Sequence, residues 1–240
     1  MAQRAAWMIH VTKPISNFIE PAVVSSRSVY HIVVAAFCAL LLISNVSAVK
    51  LIDFGGPFIT DGGALLFPLT YVLGDVLAEV YGLRAARRTI LLGFAISLTA
   101  TLSFYLVQMT PAQSDWGLQD SYENILGFVW RIVLASMCGY LVGQFLNAFV
   151  MVKLKERFGT GRLWVRLIGS TIVGEAADTM VFCTVAFAGV LSASDLWSYI
   201  TVGFLWKVGI ETVMLPVTYR VIKYVKKREA IQDVVPISAR

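Results

Sequence analysis

Apolar residues fill six long stretches of the chain, separated by short polar connections. The stretches are residues 30–49, 63–80, 89–109, 125–152, 167–191 and 196–222. Each is close to or longer than the about 20 helical residues that cross a hydrocarbon layer of about 30 Å. None shows the alternation of a barrel strand, and helices satisfy all backbone polar groups inside lipid. The pattern predicts an all-α integral membrane protein with six transmembrane helices.

Basic residues are concentrated in alternate connections, and acidic residues in the others. The basic set includes Arg4, Lys13, Arg27, Arg84, Arg87, Arg88, Lys153, Lys155, Arg157, Arg162, Arg166, Lys223, Lys226 and Lys227. The opposite connections hold Asp53, Asp61, Asp115, Asp120, Glu123 and Asp195 against one Lys50. Because basic connections stay cytoplasmic, both termini of this multi-pass inner-membrane protein are predicted to face the cytoplasm.

The predicted spans and their orientation divide the chain into three regions. They are a cytosolic N-terminal arm at 1–28, a transmembrane domain at 29–223 and a basic cytosolic tail at 224–240. Six spans also divide into two sets of three, and the second copy of a three-helix repeat is necessarily inverted. Gly74 and Asp75 recur as Gly174 and Glu175, 100 residues later. Two inverted three-helix repeats are therefore a hypothesis that the sequence raises.

Composition supports a membrane protein and excludes several other classes. The chain is 58% hydrophobic and only 15% charged, unlike a soluble domain. Its net charge of +5 comes from clusters beside apolar spans, which argues for a lipid bilayer and against nucleic acid as the partner. Three isolated cysteines and two histidines predict no disulfide framework, no metal site and no cofactor.

Two carboxylates interrupt the second apolar stretch. Asp75 and Glu79 are four residues apart, and Tyr71 lies one turn earlier on the same helical face. An acid at membrane depth usually faces a protein interior or an aqueous cavity. Glu79 has a simpler alternative, in which it reaches water or pairs with Arg84 and Arg87 at the end of the helix.

Further polar residues interrupt the other apolar stretches. They are Asn45, Gln144, Asn147, Glu175, Asp178, Lys207 and Glu211. Lys207 and Glu211 have the spacing of an ion pair within one helix, and the three amides could instead be hydrogen bonds between helices. Gly139 and Gly143 have the spacing of a helix-packing seam. Together the polar residues predict a cavity for a small solute that is polar and either planar or cationic, with Tyr71, Tyr140 and Phe182 as stacking faces.

Three segments resemble one known family. They read PLTYVLGDVLAEVYG followed by LRAARR, RLIGSTIVGEAADTMVFCTVAFAG, and KVGIETVMLPVTYRVIKYVKKRE. These segments are similar to the YhhQ-type queuosine precursor transporter family, also grouped with vitamin uptake transporters. The similarity extends from Tyr30 to Glu229 and leaves out the N-terminal arm.

The resemblance implies a six-helix importer of 7-cyano-7-deazaguanine or 7-aminomethyl-7-deazaguanine. A carboxylate can accept both N1–H and the exocyclic amine of such a base. Asp75 and Glu175 are the first candidates for that edge, and Asp178 and Glu79 for a cation partner or gate. The candidates for donors to O6 are Lys207, Gln144 and Asn45, while Glu211 either neutralises Lys207 or helps to form the pocket.

The leading interpretation is a stand-alone transporter that works by alternating access, with two three-helix halves rocking around a central site. Two other interpretations stay open at this point. The chain could be the substrate-binding subunit of an importer driven by a separate ATPase, since it has no GxxxxGK[ST] motif of its own. An intramembrane enzyme that uses paired acids is the second alternative, although HExxH and GxSxG motifs are absent and a non-enzyme is expected. Proton coupling, facilitated diffusion and a homodimer are all compatible with the sequence.

Overall fold

The computed structural model describes residues 28–56, 58–158 and 163–233. Helices dominate this part of the chain. They are α1 (Tyr30–Ser47), α2 (Phe67–Val80), α3 (Leu83–Gln108), α4 (Gln119–Leu126), α5 (Val129–Phe158), α6 (Leu163–Phe187) and α7 (Ala193–Asp233). A hairpin of two short strands, β1 (Leu51–Asp53) and β2 (Ile59–Asp61), and a 3₁₀ turn at Gly62–Leu65 connect α1 to α2. The predicted all-α class is confirmed.

Five segments of the described chain are long and apolar enough to span a membrane, and one of them joins α4 to α5. They are Tyr30–Ser47, Leu83–Gln108, Gln119–Leu154, Gly169–Phe187 and Ala193–Glu229. The predicted second span is instead the 14-residue α2, preceded by the 3₁₀ turn. At 1.5 Å per residue α2 is about 21 Å long, less than the hydrocarbon thickness. Six spans and the inverted repeat stay predictions.

The connection between α1 and α2 is more ordered than the sequence predicts. Leu51 of β1 pairs with Asp61 of the antiparallel β2. An added Cβ on Gly62 would lie 2.5 Å from the Ser47 carbonyl oxygen, and one on Gly63 would lie 2.7 Å from that of Ser44. Only glycine lets the 3₁₀ turn pack this closely on the end of α1.

Two apolar cores lie at opposite ends of the helix bundle. We call the end with Arg84, Arg87 and Lys226 the basic end, and the end with the hairpin the acidic end. The basic-end core joins α1, α2, α3 and α7, and its buried members are Val33, Phe37, Cys38, Val76, Leu77, Ala86 and Val225. The acidic-end core joins the end of α1 to α5, α6 and α7, and its buried members are Ala48, Ile132, Ala135, Cys183, Ala186, Phe187 and Tyr199.

Helices α5 and α6 pack against each other through glycines. Added Cβ atoms would lie 2.8 Å from Asp178 Oδ1 at Gly139, and 2.8 Å from the Cβ of Asp178 at Gly143. On α6, a Cβ on Gly174 would lie 2.8 Å from the Cβ of Asn147. The glycines therefore let the two backbones approach closely, and the predicted seam is confirmed.

Helix α7 is the longest element of the fold. Its 41 residues extend about 60 Å and include Pro216. Near its basic end, Oε1 of Glu229 accepts hydrogen bonds from Tyr81 Oη at 2.7 Å, from the Val29 amide at 3.1 Å and from Ser28 Oγ at 3.2 Å. The predicted tail at 224–240 thus begins within α7, and the predicted arm at 1–28 lies almost wholly outside the described residues.

Candidate functional site

Lys207 lies at the centre of a polar cluster between the two apolar cores. Its ammonium forms an ion pair with Asp178 Oδ2 and lies 4.0 Å from Oε2 of Glu175. The exposed fractions of these side chains are only 14% for Lys207, 23% for Asp178 and 22% for Glu175. Because Asp178 and Glu175 are three residues apart on α6, both carboxylates face the same point on α7.

Helix α2 supplies the aromatic side of this cluster. Tyr71 donates a hydrogen bond to Glu175 Oε2 at 3.0 Å. The ring of Phe67, one turn earlier, lies 4.9 Å from the Lys207 ammonium and packs edge-on against Tyr71 with 4.3 Å between ring centroids. An ammonium over an aromatic face is attracted to it. The Lys207 cluster, as we call Phe67, Tyr71, Glu175, Asp178 and Lys207, therefore joins three helices.

Two more predicted acids lie near this cluster. Glu211 interacts electrostatically with Glu175 and with Asp75. Glu211 is half-buried, whereas Asp75 is exposed. Among the residues described, neither carboxylate is within 4.0 Å of a Lys or Arg nitrogen. Counted as ionised, two carboxylates flank the ammonium and two more lie beside them, and this surplus of negative charge favours a ligand with hydrogen-bond donors or positive charge.

Of the two alternatives for Glu211, its ion pair with Lys207 is not the contact that the structure shows. The spacing permits it, but the lysine instead reaches across to α6, where two carboxylates compete for it. Glu79 is also separate from the Lys207 cluster, because it forms an exposed ion pair with Lys226 at 2.6 Å. Neither Arg84 nor Arg87 is the partner of Glu79 that the structure shows. These contacts favour a structural role for Glu79.

The three predicted amides have different surroundings. Asn45 is buried, accepts a hydrogen bond from Ser136 Oγ at 2.8 Å and donates one to Ser97 Oγ at 3.5 Å. It thereby links α1, α3 and α5, as the alternative of interhelical hydrogen bonding predicts. Gln144 is exposed. The Oδ1 atom of Asn147 is buried without a hydrogen-bond partner among the described residues.

Of the three predicted stacking faces, Tyr71 belongs to the Lys207 cluster, whereas Tyr140 and Phe182 pack against other aromatic rings. Tyr140 packs against Phe94 with 5.7 Å between ring centroids, and Phe182 packs against Phe187 at 6.3 Å. Phe67 is the aromatic residue that contacts Lys207, and sequence reasoning missed it. The available signal was its position four residues before Tyr71, on the same helical face.

No group of three metal-ligating side chains occurs in the described part of the chain. The carboxylates of the Lys207 cluster are engaged by the lysine and the tyrosine. The arrangement is therefore suited to binding an organic solute, with carboxylates as acceptors and Lys207 and Tyr71 as donors.

Comparison with known families places this cluster in context. Residues 61–221, more than half of the chain, match the family described as "Putative vitamin uptake transporter". The chain belongs to this family. The matched region of the vitamin uptake transporter family contains the whole Lys207 cluster together with Asp75 and Glu211, whereas Asn45 lies outside it. The resemblance inferred from sequence motifs is confirmed.

Three curated proteins are similar to this chain. A protein of Bacillus subtilis named "Probable queuosine precursor transporter" is 33% identical over 189 residues, which are 78% of this chain and 81% of that protein. The "Queuosine precursor transporter" of Escherichia coli is 31% identical over 130 residues, 54% of this chain and 56% of that protein. A Haemophilus influenzae protein with the same name as the Bacillus protein is 30% identical over 130 residues, 54% of this chain and 53% of that protein.

All three names describe transporters, in agreement with the prediction of a multi-pass membrane transporter that is not an enzyme. No solved structure gives a significant match to the chain.

Proposed function

We propose that this chain imports queuosine precursors, the 7-deazaguanine bases 7-cyano-7-deazaguanine and 7-aminomethyl-7-deazaguanine, across the bacterial inner membrane. The 33% identity to the Bacillus protein over 81% of that protein's length carries the proposal. The Lys207 cluster supports it, because charged and aromatic side chains at the meeting point of three helices are typical of a solute site.

The chemistry of the cluster fits a deazaguanine. The adjacent N1–H and amine of the base match one carboxylate, and O6 needs a donor such as the Lys207 ammonium. The Phe67 ring offers an apolar face for a flat base. An aminomethyl group would add a positive charge, which the surplus of carboxylates at this site favours.

The contacts refine the roles expected of single residues. Asp75 and Glu211 have no basic partner among the described residues and are the acids most available to a ligand. Glu175 would exchange its hydrogen bond from Tyr71 for one from the base. Asp178 holds Lys207 in place through the shorter of the two ion-pair contacts.

Binding to the purified chain tests this function. We expect calorimetry to show saturable binding of a 7-deazaguanine by the chain alone, with guanine weaker. Glu175→Gln removes one charged hydrogen-bond acceptor and should weaken binding about tenfold or more. Glu79→Gln is the matched control, because Glu79 pairs with Lys226 outside the cluster, and its affinity should stay within about twofold of the parent.

Two results would contradict the proposal. If the folded chain shows no saturable binding, the proposal that it recognises these bases without a partner protein is rejected. Equal affinity of the Glu175→Gln variant and the parent would move the site away from the Lys207 cluster.

A further inference from the structure

A second buried polar contact lies on the acidic-end side of the Lys207 cluster. Tyr199 of α7 donates a hydrogen bond to Oδ2 of Asp61, the last residue of β2. Tyr199 is 2% exposed and Asp61 is 6% exposed. The other carboxylate oxygen, Oδ1, accepts a hydrogen bond from the Ala64 amide at 3.0 Å. Asp61 thus fixes the start of the 3₁₀ turn and joins it to α7.

The surroundings of this contact are closed. The Tyr199 ring packs edge-on against Phe187 with 5.1 Å between centroids, inside the acidic-end core. Trp206 Nε1 donates to the Ala64 carbonyl at 3.1 Å, and Ser44 Oγ donates to the Gly63 carbonyl at 3.1 Å. The 3₁₀ turn is therefore attached to both α7 and α1 on this side of the cluster.

The opposite side of the Lys207 cluster is less closed. Helices α5 and α6 contribute none of the described side chains of the basic-end core. Exposure also rises in that direction, from 14% for the Lys207 side chain to 59% for Glu79, and Asp75 between them is exposed. On that side the polar side chains of α2 are thus less covered by the rest of the protein than Lys207 is.

We propose that the Asp61–Tyr199 hydrogen bond is the latch of a gate that closes the acidic end over the Lys207 cluster, and that the structure has this gate shut. The inference rests on the proposed transport function, because a transporter must admit its solute from each side in turn. Opening the gate breaks the hydrogen bond from Tyr199 to the buried Asp61 carboxylate and separates Tyr199 from the acidic-end core. Both the hydrogen bond and the packing therefore stabilise the closed state.

Labelling of a buried native thiol tests the latch. Cys183 is 2% exposed and lies in the acidic-end core beside Tyr199. With Cys38→Ala and Cys138→Ala as background, a membrane-impermeant methanethiosulfonate reagent is applied to each membrane face in turn. We expect Tyr199→Phe and Asp61→Ala each to raise the labelling rate of Cys183 at least about fivefold from the acidic-end face only. That ratio corresponds to about 1 kcal/mol, a typical hydrogen-bond contribution.

Tyr219→Phe is the matched control, because Tyr219 is an exposed tyrosine of the same helix and its variant should label at the parental rate. Unchanged rates in both latch variants would overturn the gate, as would equal acceleration from both faces, which indicates general loosening. If Tyr199→Phe does not fold, Asp61→Ala decides alone. Labelling needs no substrate, so failure of the gate is distinct from failure of deazaguanine binding by the parent.

Discussion

At the scale of single residues, Lys207 determines how the other charges are arranged. It is shared between Asp178 and Glu175, and this leaves Glu211 and Asp75 without a basic partner in the part of the chain that the structure describes. The sequence identified all five residues as candidates but could not show how they pair. Helical spacing reports neighbours within one helix, whereas the lysine reaches a different helix.

Asp61 gives the protein a predicted pH dependence. Burial raises the pKa of its carboxyl, and the hydrogen bonds from Tyr199 and from the Ala64 and Gly63 amides and the charge of Lys207 oppose the shift only in part. The folded state therefore holds the Asp61 proton to a higher pH than the unfolded state does. The contribution of Asp61 to stability should be greatest at or below about pH 4, the ordinary value for Asp, and should fall as pH rises through the raised pKa.

Melting temperature measured against pH checks this expectation. Asp61→Asn cannot ionise, so its melting temperature should decline less than that of the parent as pH rises above about 4. Parallel curves for the two proteins would show that Asp61 does not titrate differently on unfolding.

At the scale of elements, apolar length predicted the long helices well. The predicted stretch at 89–109 lies almost within α3, and the stretch at 167–191 overlaps most of α6. The hairpin and α4 were not predicted, because strands of 3 residues and a helix of 8 are too short for a periodic pattern. Helix α2 is shorter than its apolar stretch because the 3₁₀ turn takes the first residues.

The α5–α6 seam should be sensitive to a single methyl group. Gly143→Ala would place a Cβ 2.8 Å from that of Asp178 and 2.9 Å from the Gly174 carbonyl oxygen. The helices must then separate, at a cost of about 1–3 kcal/mol, and the melting temperature in detergent should fall. Gly209→Ala is the matched control, since an added Cβ there meets nothing within 4 Å. Similar melting temperatures for both variants would mean that the seam is not tightly packed.

At the scale of the whole molecule, a polar layer lies between two apolar cores. The basic-end core joins α1, α2, α3 and α7, whereas the acidic-end core includes α5 and α6. Sequence reasoning found most of the polar layer, because charged residues are conspicuous inside apolar stretches. It could not show that Glu79 and Asn45 lie outside this layer, because their partners Lys226, Ser97 and Ser136 are distant in sequence.

The alternation of basic and acidic connections predicts the orientation of the bundle. In a chain whose native cysteines are replaced, Ser114→Cys before α4 should react with an impermeant thiol reagent in intact cells, because it lies in an acidic connection. Lys227→Cys, near the basic end of α7, should react only after permeabilisation. The reverse pattern would place both termini outside the cytoplasm.

Helix α7 contributes to both apolar cores and to the Lys207 cluster, and Pro216 divides it into two segments. Pro216 has no amide hydrogen to donate to the carbonyl of Thr212, so α7 lacks one backbone hydrogen bond at this point. Lys207 lies in the segment before Pro216. Glu229 lies in the segment after it and accepts hydrogen bonds from Ser28, Val29 and Tyr81. The helix is about 20 Å long from Pro216 to Glu229, so a bend of about 10° at Pro216 would displace Glu229 by about 3 Å. A small bend at Pro216 would therefore move Glu229 relative to Lys207 by about the length of one hydrogen bond.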